Sequence, residues 1–251
     1  MHKYKLKSLN QHCFDLSYFC IYTHHKHTEY SHLKTLAEWF RLASRIKKVQ
    51  LFPYRSEKRH ADTNDLFHYM RADLNKNNID QVYDLTLFSY TWSAYEFLLS
   101  NQTINPGNKT IYNLLRLNYE PFKNLIGYND EVRELRKQFR FSKFLRSQEL
   151  KGPPLKPTRS SRGMYLIDPI RSYFAHLADH FPVGMDYHER YLLEKKIIET
   201  STRIVILTVQ MLLLASMPEN LEYIDNWWKT TTYRKRTSLH VFLRTVHLET
   251  A

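Results

Sequence analysis

Residues 186–218 read DYHERYLLEKKIIETSTRIVILTVQMLLLASMP, and this stretch indicates a helical fold class. Asp186, followed three positions later by Glu189, forms a capping box, which is typical of a helix N-terminus. Pro218 closes the stretch, because proline cannot continue a helix. The apolar residues between them recur at helical spacing and predict one long helix with an inward face: Leu193, Ile197, Ile204, Leu207, Met211 and Leu214.

Another helix is predicted just before this one. Asp168-Pro169 is typical of a helix start, because Asp accepts hydrogen bonds from first-turn N–H groups and Pro is preorganised for the first helical position. Pro182 and Gly184 would end the helix. Its buried stripe would consist of Ile170, Phe174, Leu177 and Phe181. The proline-containing residues 151–162 that lead into it are predicted to be a linker or an active-site loop.

Earlier residues continue the helical pattern. From Ile79 a helix is predicted that ends near Asn101, with Leu85, Phe88, Trp92, Tyr95 and Leu99 on one face. A shorter helix is predicted after Asn108, and another from about Asn129 to Ser147 with Val132, Leu135 and Phe139 inward. Helices joined by short connections predict an antiparallel helical bundle over residues 76–218.

The two ends of the chain carry weaker patterns. Alternation in residues 3–9 and 14–22, and the run at 49–52, predict short strands around a helix at 31–48 that Ser31 would cap. Residues 1–75 are therefore predicted to be a small α+β portion. Residues 219–251 are predicted to be a C-terminal tail, with a strand over the alternating segment Leu239–Leu248.

Composition narrows the function classes. Five glycines and the absence of G-x-G-x-x-G and G-x-x-x-x-G-K exclude the common dinucleotide and P-loop sites. The longest uncharged stretch, residues 204–218, is too short to cross a bilayer, so no membrane partner is expected. Two cysteines and no apolar signal core favour a cytoplasmic location. The net charge of +12 makes a polyanion the first partner to consider.

One short motif stands out within the bundle. Arg171 is followed five positions later by His176, after an apparent helix start and before the long apolar helix, and an earlier bundle helix carries Glu96. This order of parts resembles the HEPN ribonucleases over roughly residues 80–217, although the family commonly has Asn, Asp or His where Ser172 stands. The resemblance implies a HEPN-like bundle, a homodimer with a shared active-site cleft, and a toxin or antiviral defence effector with a regulatory or antitoxin partner.

The motif suits metal-independent RNA cleavage without a cofactor. An imidazole with a pKa near 6.5 can transfer protons at neutral pH, which is the role expected of His176. A guanidinium can hold a phosphate through two hydrogen bonds, which is the role expected of Arg171. Both residues are expected near a helix N-terminus, where the helix dipole favours an anion. Ser172 would share a helix face with His176. Glu96 would either pair with Arg171 or remain a solvated carboxylate.

Basic residues are concentrated just before the motif. Residues 133–162 contain ten Lys or Arg and two Glu, so they were expected either to track an RNA backbone or to form a solvated helix face and loop. The candidate RNA-binding residues are Arg133, Arg136, Lys137, Arg140, Lys143, Arg146, Arg159 and Arg162. Trp227-Trp228 and Tyr233 beside Arg234-Lys235-Arg236 would stack bases or pack on the bundle.

Four histidines cluster near the N-terminus of the chain. The histidines at positions 24, 25, 27 and 32 lack a completing Cys or carboxylate ligand, so no metal site is expected. The leading hypothesis is a metal-independent endoribonuclease that produces 2′,3′-cyclic phosphate ends. The alternative is a non-catalytic nucleic-acid-binding or assembly protein that uses the same bundle and basic surface.

Overall fold

The computed structural model describes residues 4–49, 65–101, 125–141, 162–175, 187–224 and 236–249. The elements in these ranges are mainly helical: α1 (Leu9–Lys26), α2 (Leu33–Arg45), α3 (Asp65–Asn101), α4 (Tyr128–Phe141), α5 (Arg162–Ala175), α6 (Tyr187–Ser216) and α7 (Leu239–Thr245). A 3₁₀ turn, Thr28–Tyr30, joins α1 to α2. The two short strands are β1 (Glu222–Ile224) and β2 (Arg236–Ser238).

Helix α6 is the centre of the packing. It packs against α1, α3, α4, α5 and α7, while α1 packs on α2 and α2 on α3. Residues 204–214 of α6 are all buried, including Gln210. Residues Tyr191–Ser216 have the length and hydropathy of a membrane span, but 89% of the apolar window is buried inside the protein. This burial is typical of the core helix of a soluble protein.

The C-terminal segment closes over one end of the bundle. β1 and β2 pair antiparallel with Tyr223 opposite Thr237, and α7 follows directly from β2. Leu6 then forms an isolated antiparallel bridge with Leu248, supported by the bond from the Lys7 N–H to the His247 carbonyl. The beginning and end of the described chain are therefore held together beside α6.

Several predicted helices are confirmed. α3 ends at Asn101, α4 buries Val132, Leu135 and Phe139, and α6 ends at Ser216, two residues before Pro218. α2 is confirmed within residues 31–48, but it begins at Leu33 after His32, without a side-chain cap from Ser31. In α2 and α4 the buried residues follow a spacing of three or four along one face, which is the signal that predicted these helices.

The small α+β portion predicted for residues 1–75 is wrong where the structure describes it. Of the strand predicted at 3–9, the described residues 4–9 contribute only the bridge residue Leu6, and positions 50–52 of the run at 49–52 lie outside the described residues. Residues 14–22 lie inside α1, whose buried residues Leu16, Phe19, Cys20 and Thr23 keep helical spacing that the surrounding aromatic residues obscure. Ser8 caps this helix by accepting a hydrogen bond from the Gln11 N–H. The boundary at residue 75 is also wrong, because α3 runs without a break from Asp65.

The strand predicted over Leu239–Leu248 is wrong as well. Residues 239–245 form α7, and strand β2 lies just before it. The buried residues Leu239, Leu243 and Val246 are four and three positions apart, so helix formation buries all three on one side. Leu248 joins only the isolated bridge to Leu6.

Asp168-Pro169 does not begin a helix, which corrects another prediction. α5 begins at Arg162, so Arg162 belongs to this helix and Pro169 lies inside it. Pro169 cannot donate a hydrogen bond to the preceding turn. The helix continues because Met164, Ile167 and Ile170, three positions apart, are all buried. This packing against α4 and α6 outweighs the local start signal.

Gly163 makes that close packing possible. A Cβ atom at this position would lie 2.6 Å from both Ile204 Cγ2 and Tyr128 Oη, and 3.0 Å from Val132 Cγ2. Ile204 belongs to α6, whereas Tyr128 and Val132 belong to α4. The missing side chain therefore allows the first turn of α5 to approach both helices.

Candidate functional site

Arg171 and Glu96 lie in contact, although 75 positions separate them in the sequence. Arg171 Nη2 is 2.9 Å from Glu96 Oε1, and both side chains are 47% exposed. The Arg171 guanidinium carbon also lies 4.9 Å from the centre of the Trp92 ring. Trp92 and Glu96 are one turn apart on α3, so they present an aromatic ring and a carboxylate to the same guanidinium. Of the two alternatives for Glu96, the structure shows the pairing with Arg171.

Arg171 does not lie near a helix N-terminus, which corrects the electrostatic expectation. It is nine positions after Arg162, where α5 begins, and four before Ala175, the last described residue of the helix. The favourable dipole effect on an anion falls off within the first turn. The helix N-terminus therefore adds nothing to phosphate binding at Arg171, and binding there depends on the guanidinium itself.

The other motif residues are described only in part. Ser172 is exposed beside Arg171. His176 lies outside the described residues, so its predicted roles as general acid and base stay predictions. The structure brings Arg171 and Glu96 together.

Carboxylates on α4 offset part of the positive charge in the described part of the basic segment. α4 contains four basic residues and three acidic ones. Arg133 pairs with Asp130 at 3.0 Å, and Lys137 pairs with Glu134 at 3.4 Å, each three positions away on the helix. Such pairs are typical of a solvated helix face and reduce the charge available to an RNA backbone.

The remaining candidate RNA-binding residues differ in exposure, and several lie outside the described residues. Arg136 is partly buried on α4, and Arg162 is exposed at the start of α5. Arg140 lies within α4, but its side chain is outside the description. Arg236, the last residue of the aromatic-basic cluster, is exposed in β2. The following candidate residues lie outside the described residues: Lys143, Arg146, Arg159, Trp227, Trp228, Tyr233, Arg234 and Lys235.

A charged cavity of about 260 Å³ opens between the end of α2, α3 and α6. We call it the α2–α3–α6 cavity. Its walls carry three carboxylates and three ammonium groups, together with Val49, Ile79 and Tyr83. The charged groups are Asp80, Asp84, Glu199, Lys47, Lys48 and Lys195. Sequence analysis missed this site, although Asp80 with Asp84 and Lys195 with Glu199 each have the i,i+4 spacing that places two charges on one helix face.

Asp84 is the most buried charged group of this cavity. It is only 6% exposed, and its Oδ2 has no hydrogen-bond partner among the residues that the structure describes. The pKa of Asp84 is raised to about 7, mainly by burial; the positive charge of Lys195 opposes this rise, and the negative charges of Glu199 and Asp80 contribute to it. Asp84 can therefore exchange a proton near neutral pH, a property common at functional sites.

A second polar cluster lies in the core beneath the C-terminal segment. His12 Nε2 is 2.8 Å from Gln210 Oε1, and Gln210 Nε2 is 2.8 Å from His247 Nδ1. His247 Nε2 in turn lies 2.8 Å from the carbonyl oxygen of Ile126. Both rings are fully buried, and burial lowers the pKa of His12 well below its ordinary range. This cluster has no solvent access, so we interpret it as structural.

The cysteines and the histidines near the end of α1 form no second reactive centre within the described residues. Cys13 and Cys20 are free and buried, and burial raises both thiol pKa values, which disfavours the reactive thiolate. The described residues contain no group of three His, Cys, Asp or Glu side chains placed to hold a metal ion.

Comparisons with known proteins gave no relative. No protein family model matches the chain, and no curated protein or solved structure is significantly similar to it.

Proposed function

We propose that the chain is a metal-independent endoribonuclease. The 2′-oxygen of RNA attacks the adjacent phosphorus, the bond from phosphorus to the 5′-oxygen breaks, and the products carry a 2′,3′-cyclic phosphate and a 5′-OH. His176 takes the proton from the 2′-OH or delivers one to the leaving oxygen. Arg171 holds the phosphate and stabilises the charge that develops on it.

The observation that carries this proposal is the placement of Arg171 by Glu96 and Trp92. A guanidinium has five N–H donors, and the ion pair to Glu96 orients the group while its surface stays half exposed. The Trp92 ring beneath it restricts its motion further. An arginine oriented in advance loses less freedom when it binds phosphate, which favours stabilisation of the transition state.

The proposed homodimer, RNA path and regulatory partner rest on the resemblance to the HEPN ribonucleases. Two copies of the chain form a homodimer, and their Arg171 and His176 residues share one cleft. RNA reaches the cleft along the basic residues of 133–162, and the net charge of +12 supports binding to a polyanion. An effector of this kind needs a regulatory or antitoxin partner that restrains it, because uncontrolled RNA cleavage is toxic.

The test is cleavage of a labelled structured RNA in EDTA, with analysis of the ends. We expect cyclic-phosphate ends from the wild type, at least a hundredfold loss in His176→Ala, and a similar loss in Arg171→Ala. His25→Ala and Arg41→Ala are matched controls. His25 is exposed on α1, and Arg41 is 43% exposed and paired with Glu38. Equal cleavage by all variants would indicate a contaminating nuclease and overturn the proposal.

A second candidate is a non-catalytic nucleic-acid-binding or assembly protein. The specific observation in its favour is that Arg171 already has two partners, Glu96 on α3 and the Trp92 ring. In this case the contact would tie α5 to α3 and need not serve a phosphate. Salt-sensitive RNA binding without cleavage, unchanged in His176→Ala, would favour this candidate.

A further inference from the structure

We propose that the α2–α3–α6 cavity binds a small zwitterion of amino-acid size, with its ammonium group at Asp84 and its carboxylate at Lys47 and Lys48. The cavity shares no residue with the endoribonuclease site proposed above. The inference is therefore independent of that function.

The buried oxygen of Asp84 identifies the ammonium end. A carboxylate oxygen that loses water without gaining a hydrogen bond is costly, so a buried acceptor of this kind favours a donor. Asp84 is 6% exposed, and its Oδ2 lacks a partner in the described part of the chain. An ammonium group supplies three N–H donors and the opposite charge. Asp80 and Glu199 add negative charge to the same walls.

The lysines identify the carboxylate end. Lys195 lies 3.8 Å from Asp80 and is already engaged with a carboxylate. Lys47 and Lys48 follow the end of α2, and both are exposed where they line the cavity. They place positive charge at the rim, while Asp84 lies in the buried part. The two charges of a bound zwitterion would therefore point in opposite directions.

The mixed charge disfavours simpler ligands. A diamine would place one ammonium group beside the lysines, and a simple carboxylic acid would leave Asp84 without a cation. A divalent cation would need several oxygen ligands around one point, and the described residues offer no such group.

The size of the cavity limits the ligand. Its volume is about 260 Å³. Since a water molecule occupies about 30 Å³ of liquid, this space holds roughly nine non-hydrogen atoms. The contribution of Val49, Ile79 and Tyr83 to the walls suits a short aliphatic chain between the two charged ends.

The experiment uses three probes of equal chain length. 5-Aminopentanoate carries both charges, 1,5-diaminopentane carries only ammonium groups, and pentanoate carries only a carboxylate. We would titrate each into the full chain at pH 8 by calorimetry and record amide shifts by NMR. Saturable binding of 5-aminopentanoate at millimolar concentrations, at least about tenfold tighter than either single-charge probe, is the expected result.

Variants test where the probe lies. Asp84→Asn keeps the shape of the side chain and removes its charge, so 5-aminopentanoate should bind at least about tenfold more weakly. Lys196→Gln is the matched control, because Lys196 is 66% exposed and next to Lys195 but does not line the cavity. The double variant Lys47→Gln, Lys48→Gln changes only exposed rim residues and should also weaken binding, which tests the carboxylate end independently of Asp84.

Several outcomes would overturn the inference. They are the absence of saturable binding, equal or tighter binding of the diamine or of pentanoate, and unchanged affinity in both cavity variants. Binding of 5-aminopentanoate does not depend on RNA cleavage. The His176→Ala variant should therefore bind 5-aminopentanoate as tightly as the wild type does.

Discussion

His12 Nε2 lies 2.8 Å from Gln210 Oε1, which joins α1 to α6 through two fully buried side chains. The remaining contacts of Gln210 fix the proton positions. Because Ile126 presents a carbonyl oxygen to His247 Nε2, that nitrogen donates, and His247 Nδ1 accepts from Gln210 Nε2. Gln210 Nε2 also donates to the Leu243 carbonyl. Gln210 Oε1 then accepts from His12 Nε2. Because His247 Nδ1 accepts a hydrogen bond and burial lowers the pKa of His12 well below its ordinary range, both imidazoles are neutral.

Gln210→Met should destabilise the protein by about 2–4 kcal/mol. Methionine has a similar length, but it leaves His12, His247 and the Leu243 carbonyl without their partner in the core. The free energy of unfolding in urea measures the effect. Gln11→Met is the control, because Gln11 is exposed, and it should change stability by about 0.5 kcal/mol or less. Equal effects in the two variants would contradict the structural role of Gln210.

Acid should weaken the fold through the same cluster. Burial lowers the pKa of His247 from 6.5 to about 4. The unfolded chain therefore binds a proton more readily, and stability present above pH 6.5 is lost as the pH falls towards 4. At about 1.4 kcal/mol per pH unit, this group alone accounts for a loss of about 3 kcal/mol.

The measurement is urea unfolding of the wild type and His247→Gln between pH 7.5 and 4. The wild type should lose more stability than the variant over this range, because glutamine does not titrate. NMR titration of the His247 ring should give the low pKa directly. Identical pH slopes in both proteins would show that His247 does not contribute.

Asp84→Asn should stabilise the protein at pH 8 by about 2 kcal/mol. Burial raises the pKa of Asp84 to about 7, so its stability contribution is present below pH 3.8 and is lost as the pH rises through 7. Asparagine carries no charge to bury. The difference from the wild type should therefore shrink by pH 5.

Thermal or urea unfolding at both pH values tests this prediction. Glu219→Gln is a suitable control, since Glu219 is exposed in the turn after α6 and its loss should have little effect at either pH. A destabilised Asp84→Asn at pH 8 would mean that the carboxylate has a stronger partner than its buried position indicates.

Gly163→Ala should cost about 1–3 kcal/mol, although alanine normally favours a helix over glycine. The new Cβ would lie 2.6 Å from Ile204 Cγ2, so α5 would have to move away from α6. Ser89→Ala at an exposed position of α3 is a control for a small change on a helix and should be nearly neutral. A stabilised Gly163→Ala in urea unfolding would contradict the close approach of these helices.

The ion pair between Arg171 and Glu96 should contribute less than about 1 kcal/mol to stability. Both side chains are half exposed, so solvent screens their attraction. A double-mutant cycle with alanine at both positions measures the coupling, and the Arg41–Glu38 pair, of similar exposure, is the reference. Coupling of about 2 kcal/mol or more would identify a structural clamp and favour the non-catalytic candidate.

Helices with a single apolar face could be predicted from the sequence. The stripes of α2 and α4 repeat every three or four residues between polar faces, so local spacing alone identifies them. α6 is buried on every side over residues 204–214, and its length and its start and stop signals identified it as well. α1 was missed because Phe14, Tyr18 and Ile21 add apolar residues outside its buried face and give the appearance of alternation. α5 was placed too late, because Asp168-Pro169 is a strong local signal that packing overrides.

The candidate site around Arg171 could also be predicted from the sequence only in part. The sequence suggested Arg171 and Glu96 as a pair, because Glu96 lies at the border of a periodic stripe whose direction can be counted. It gave no indication that Trp92 lies beneath the guanidinium, or that Arg171 is more than two turns from the start of its helix. Those facts depend on where α5 begins and how it lies relative to α3.

Periodicity and composition established that the chain is mainly helical, with a core helix at residues 187–216 and an excess of positive charge. They do so because helix formation and net charge depend on near neighbours and on residue counts. The assembly of the α2–α3–α6 cavity, the cluster of His12, Gln210 and His247, and the approach at Gly163 required the tertiary structure. Each joins residues far apart in the chain, and their distances follow from how the helices pack.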